Sequence, residues 1–167
     1  YVPQKAFMFR GTIKENIAYG KTSKEITDED MKNALLVSQA YDFVMQKDDG
    51  IDSFIARGGT NVSGGQKQRL SIARAIARKP EIYIFDDTFS ALDYQTDYNL
   101  RRDLKKYTKD ATTLIVAQRI GTIIEADKII VLDNGEVVGM GTHQELLKNC
   151  SIYQEIAKSQ LGEEELQ

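Results

Sequence analysis

The chain has 167 residues, 41% of them apolar, with 22 basic against 25 acidic side chains and a net charge of -3. This is enough apolar material for one packed domain or a large piece of one, and it excludes a disordered tail. The charges are interspersed, so no strong field draws in nucleic acid or an anionic membrane, and a single cysteine, Cys150, excludes an internal disulfide and fits a reducing compartment. No apolar run approaches the roughly 20 residues that cross a bilayer. The start, Tyr1-Val2-Pro3-Gln4, has neither an initiator Met nor a signal-peptide pattern, so the chain is expected to be cut from something longer.

Residues 1 to about 22 read as loop and short helix, with Val2-Pro3-Gln4 extended by its proline and an apolar patch from Ala6 to Phe9. Thr27-Asp28-Glu29-Asp30 has the form of a helix N-cap with acids in the first turn, and Met31, Ala34, Leu35 and Ser38 follow at helical spacing. A second helix is expected over Ala40 to Gln46, then a Gly-containing connector from Ile51 to Thr60. A longer helix starts near Ser63, carries Leu70, Ala73, Ile76 and Ala77 on one stripe and breaks at Lys79-Pro80. The pattern then changes to strand, helix, strand: Ile82 to Asp86 as a buried strand, Leu92 to Tyr107 as a helix with a polar face, and Thr112 to Ala117 as a second continuous apolar strand. Parallel strands with a helical crossover are the expected outcome. Lys128 to Leu132 and Glu136 to Gly139, joined by Asp133-Asn134-Gly135, predict a hairpin with a type I′ turn. Two short helices, about Thr142 to Lys148 and Ser151 to Ser159, close the fold before an acidic, frayed Glu163-Glu164-Glu165.

Two stretches carry chemistry. Asn61-Val62-Ser63-Gly64-Gly65-Gln66-Lys67-Gln68-Arg69 opens a helix with small residues, unblocked backbone N–H groups and a hydroxyl at the positive end of a helix dipole, a site suited to an anion. Ile82-Tyr83-Ile84-Phe85-Asp86-Asp87 is an apolar strand ending in two acids, a site suited to Mg²⁺ and a water. Gly20-Lys21-Thr22 invites a third reading, as a phosphate-binding loop. That loop needs a Gly five positions before Gly20, where Glu15 stands, and a preceding strand, which is missing. It is read as a surface turn, and the true loop is expected upstream of Tyr1.

The order and separation of these motifs resemble the ATP-binding cassette (ABC) ATPases, over nearly the whole chain. In that family the signature reads Leu-Ser-Gly-Gly-Gln, and the Walker B strand ends in Asp-Glu. Val62 replaces the Leu and Asp87 the Glu. The resemblance implies an α/β fold: a helical subdomain followed by the later part of a RecA-like P-loop NTPase core with parallel strands, a C-terminal hairpin and short helices. Its two parts would be residues 1–79, ending in the signature helix, and 80–167. Gln4 resembles the Q-loop glutamine that meets Mg²⁺ or the attacking water, and the segment Phe7-Met8-Phe9-Arg10-Gly11-Thr12-Ile13-Lys14-Glu15-Asn16-Ile17-Ala18-Tyr19-Gly20 resembles exporter cassettes, where it faces the transmembrane domain; Phe7 and Phe9 are the candidates for that contact.

By the same resemblance Ser63, Gly64, Gly65 and Gln66 serve ATP bound to the opposite cassette of a head-to-tail dimer, Asp86 orients Mg²⁺, Asp87 stands at the position that polarises the hydrolytic water, and Asp93 in Ser90-Ala91-Leu92-Asp93 organises the dimer contact. Gln118, in Ala117-Gln118-Arg119, stands where the family has a switch histidine; glutamine can hydrogen-bond a phosphate but cannot carry a proton. Asp is one methylene, about 1.5 Å, shorter than Glu, more than such geometry tolerates. Weak hydrolysis at this chain's own site is therefore expected, with ATP and Mg²⁺ as cofactors. The implied setting is a heterodimeric exporter at the cytoplasmic face of a membrane, partnered by a second nucleotide-binding domain and a transmembrane domain and by no nucleic acid. The only histidine, His143, is expected to cap a helix or lie on the surface. Two other readings stay open: a soluble ABC ATPase of DNA repair or translation, and a regulatory module that binds nucleotide without turnover.

Overall fold

The computed structural model describes residues 1–20 and 25–161; the turn expected at Lys21-Thr22 and the acidic run at 163–165 lie outside the described residues. The chain divides into two compact units, Tyr1–Val116 and Ala117–Gln167.

In the first unit, strand β1 (Gly11–Thr12) pairs antiparallel with β2 (Phe54–Ile55), and between them come helices α1 (Ile13–Ala18), α2 (Asp28–Val37) and α3 (Tyr41–Met45). Thr12 and Thr27 each accept from the N3 amide of the helix they open while Glu15 and Asp30 accept from the cap N–H, two complete capping boxes. The expected connector from Ile51 to Thr60 is therefore not plain loop: it holds β2 between two short 3₁₀ turns, because Phe54 and Ile55 find partners in β1 that local pattern does not show.

Helix α4 (Gly64–Ile76) buries Leu70, Ile72, Ala73 and Ile76, and packs against α1 and α2. Lys79, with φ 47°, and Pro80 end its run. Arg74 braces it to the N-terminal segment, donating to the carbonyls of Asn16 at 2.7 Å and Phe7 at 3.2 Å with its guanidinium 5.5 Å from the Phe9 ring centroid. Strand β3 (Ile82–Asp86) then leads through α5 (Tyr94–Tyr107) to β4 (Thr112–Val116), and β3 and β4 pair in parallel from Ile82↔Thr112 to Asp86↔Val116. A parallel pair cannot close through a tight turn, and α5 is the crossover. Val2 extends the layer on the other side of β3 by a parallel bridge to Phe85.

Among the described residues, β3 and β4 are covered on one face. Tyr83 and Phe85 are buried, whereas Ile82, Ile84, Leu114 and Val116 on the other face are 56%, 38%, 51% and 56% exposed. Helix α5 begins two residues later than expected, since Asp93 is its N-cap and accepts from the Thr96 amide.

The second unit contains a short helix α6 (Ile120–Ile123), which periodicity did not announce, then the antiparallel hairpin β5 (Ile129–Asp133) and β6 (Glu136–Gly141), then α7 (His143–Asn149) and α8 (Ser151–Gln160). Asn134 and Gly135 have φ of 48° and 83°, the two positive values a type I′ turn demands. Ile120, Ile129, Val131, Leu146, Cys150, Tyr153 and Ala157 form its core. No described helix is long and apolar enough to cross a membrane.

Candidate functional site

At the start of α4, Ser63 has extended backbone, its Oγ accepts from the Gln66 amide at 3.2 Å, and Gln66 Oε1 accepts from the Ser63 amide at 3.0 Å. This capping box uses the N3 donor and leaves the amides of Gly64 and Gly65, at N1 and N2, without an intrahelical acceptor. Both glycines have ordinary helical backbone, neither being among the positive-φ residues. A Cβ built on Gly64 would meet nothing within 4 Å, and one on Gly65 would make only ordinary contact, 3.6 Å from the Ala91 carbonyl oxygen. The fold therefore requires glycine at neither position, although glycine within a helix costs about 1 kcal/mol against alanine. What Gly64 provides is open space beside donor amides at the positive end of a 13-residue helix, while Gly65 lies in ordinary contact with Ala91 and Leu92. That arrangement fits a phosphate. Val62, in place of the family leucine, is buried and serves as an equivalent apolar anchor.

The strand-end acids lie in a different constellation. The Asp86 amide donates to the Val2 carbonyl at 3.0 Å, and Tyr1 donates its hydroxyl to Asp86 Oδ2 at 2.8 Å; that hydrogen bond to a carboxylate raises the tyrosine pKa. Asp87 adopts φ 42°, its amide donates to Val116 at 2.9 Å and its carbonyl accepts from Ser90 Oγ at 2.8 Å. Gln4 Nε2 donates to Asp87 Oδ2 at 2.9 Å, so two candidates separated by 83 positions meet directly. Thr88 is fully buried and donates to the Val2 carbonyl at 3.1 Å, holding the Gln4 segment against the turn after β3. Among the described residues no three His, Cys, Asp or Glu side chains converge on a metal position. One or two carboxylates beside an amide oxygen nonetheless form the hard donor set that Mg²⁺ uses when nucleotide phosphates complete its shell.

Three further candidates fall elsewhere. Asp93 caps α5, and the Thr96 amide and hydroxyl hold its pKa low. Gln118, in the second unit, accepts from Gln160 Nε2 through its backbone carbonyl at 2.8 Å, and its side chain is exposed. Phe7 is 52% exposed, and Phe9 stacks on Tyr19 with ring centroids 3.9 Å apart. His143 is neither cap nor plain surface: Thr142 caps α7, while His143 Nδ1 lies 2.8 Å from the Tyr153 hydroxyl, and burial lowers its pKa. The cleft lined by Leu36, Val37, Gln39, Tyr41, Asp42 and Tyr107 contains none of the candidates.

Tyr1 and Thr88 were not singled out in the sequence. Nothing local marks Tyr1. A threonine immediately after strand-end acids is the only signal for Thr88.

The profile of the ABC transporter family matches residues 1–90. An uncharacterized ABC transporter ATP-binding protein of Mycobacterium bovis is 48% identical over 95% of this chain, and one of Bacillus subtilis is 44% identical over 98%. An ATP-dependent lipid A-core flippase of Francisella tularensis is 41% identical over 96%. The chain spans only 26% to 28% of the length of these relatives. Among solved structures, a bacterial Atm1-family ABC exporter with ATP bound superposes with a TM-score of 0.90 at 34% identity, covering 97% of this chain and 28% of that one.

Proposed function

Since the chain belongs to the ABC transporter family and has the fold of an exporter's nucleotide-binding domain, we propose that it couples ATP binding and hydrolysis to export across a membrane. In this reading it works at the cytoplasmic face, docked on a transmembrane domain and paired head-to-tail with a second nucleotide-binding domain. Residues 1–79 act as its Q-loop and helical part and 80–167 as its RecA-like part. Exposed Phe7 lies on the segment that meets the transmembrane domain.

ATP with Mg²⁺ supplies a phosphoanhydride whose cleavage releases free energy. Ser63, Gly64, Gly65 and Gln66 would hold the phosphates of the partner's nucleotide. Asp86 and Gln4 would hold Mg²⁺ at this chain's own site, and Asp93 supports the dimer contact by fixing the start of α5. Asp87 is short for polarising a water, its Oδ2 is already engaged by Gln4, and Gln118 has no proton to shuttle. The own site thus retains ATP more than it cleaves it, and a partner with Glu and His at those positions would carry the turnover in a heterodimer.

The observation that carries this reading is the open space above Gly64, beside helix N-terminal amides with no intrahelical acceptor. Gly64→Ala tests it in the complete transporter. A purely structural turn predicts unchanged or higher stability with unchanged activity; the phosphate reading predicts the same stability with ATP turnover reduced about tenfold or more. Full turnover in a well-folded Gly64→Ala transporter would refute it.

A further inference from the structure

Gln68 lies on α4 just beyond the Ser63–Gln66 capping box, and only 2% of it is exposed. Burying an amide is unfavourable unless its polar atoms are bonded. Its Nε2 donates to the carbonyl oxygen of Pro3 at 3.2 Å, across 65 positions of sequence. The bonded carbonyl belongs to the peptide that joins Pro3 to Gln4.

The rest of that segment is anchored to β3. The Val2 amide donates to Ile84 at 2.8 Å, while the Asp86 amide and the Thr88 hydroxyl both donate to the Val2 carbonyl. Pro3 has a fixed φ and no N–H to give. The remaining freedom is the orientation of the Pro3–Gln4 peptide, and Gln68 is the side chain that holds it. We infer that Gln68 is a positioning residue that sets the reach of Gln4 toward Asp87.

One consequence follows for the site. The helix whose N-terminus addresses one nucleotide is tied through Gln68, Pro3 and Gln4 to Asp87, which faces another. Movement of α4 by a fraction of an ångström would change the 2.9 Å bond between Gln4 and Asp87. This consequence rests on the function proposed above, whereas the positioning itself does not.

The test uses the complete transporter with its partner chain and the substitution Gln68→Met, which removes the donor and keeps length and apolar bulk. In a crystal structure of the variant complex the Gln4 Nε2 to Asp87 Oδ2 separation is expected to open from 2.9 Å to beyond about 3.5 Å, with β3 and the middle of α4 unmoved. Retention of ATP with Mg²⁺ at this chain's own site is expected to weaken about threefold or more, and Gln68→Met is expected to add nothing in a Gln4→Ala background, because the residue acts through Gln4. Should Gln68→Met fail to fold, Gln68→Asn, which keeps the amide but shortens its reach, is read in the same way. An unchanged Gln4–Asp87 hydrogen bond in Gln68→Met would overturn the inference. So would an equal loss of ATP retention with and without Gln4. If the bond opens but Gln4→Ala leaves ATP retention intact, the positioning stands and the proposed role of Gln4 fails.

Discussion

Asp87 combines a left-handed backbone, φ 42°, with a carboxylate engaged by Gln4. Asp and Asn are the non-glycine residues that best tolerate that region, because their short side chains bond locally. Its neighbours fix the turn from three directions: the Val116 carbonyl, the Ser90 hydroxyl and the buried Thr88. The position is held firmly, and what departs from the family pattern is reach. Asp87→Glu combined with Gln118→His is accordingly expected to raise ATP turnover of the complete complex severalfold. No increase, with nucleotide still bound, would remove the main support for a weakly hydrolysing site. Tyr83 shows that an altered pKa need not mark chemistry: burial pushes its hydroxyl up to about 12, yet it only packs parallel to Phe85.

Elements owe their ends to caps and their middles to burial. Ser63→Ala removes an acceptor that the Gln66 amide uses, and Asp93→Ala does the same for Thr96; each is expected to cost about 1 kcal/mol in denaturant unfolding. The β3 face divides sharply. Phe85 is fully buried between Tyr83 and Phe89, so Phe85→Ala is expected to cost about 3–5 kcal/mol, while Ile82→Thr on the open face costs within about 0.5 kcal/mol. Equal costs for the two would mean that both faces of β3 are covered. Apolar runs such as Ile82-Tyr83-Ile84-Phe85 signal a strand correctly, but they cannot show which face is in contact. The β1–β2 pair escapes sequence reading for another reason: two residues per strand, about 40 positions apart, are too short for any period.

For the chain as a whole, one histidine among 167 residues isolates a pH effect. Burial beside Tyr153 lowers the His143 pKa below its ordinary 6.5, so the folded state binds fewer protons than the unfolded one as pH falls past that value. Its neutral form is fully compatible with the fold above the unfolded pKa, and stability is lost on descending through the folded pKa. Unfolding followed from pH 7.5 to 5 is expected to show this decline, and His143→Gln is expected to flatten it. An unchanged slope in the variant would assign the decline to the carboxylates. The interspersed charges, by contrast, give no patch that organises the molecule; Lys14–Asp28 is an exposed pair at 3.1 Å of the kind that contributes little.

The candidate site was legible in its parts because its chemistry is local: Ser63 caps the helix it precedes, Gly64 leaves open space beside the first amides of that helix, and Asp86 ends its strand with Asp87 directly after it. Sequence therefore determined the order of the longer elements, the Thr27 cap, the parallel pair with its crossover, the hairpin and the family. Only the tertiary structure decided that Gln4 meets Asp87, that Gln68 holds the Pro3 carbonyl, that Thr88 locks Val2 and that His143 belongs to Tyr153. The first set depends on backbone geometry within a few residues. The second set depends on side chains brought together by burial of a shared core, and no spacing along the chain encodes those distances.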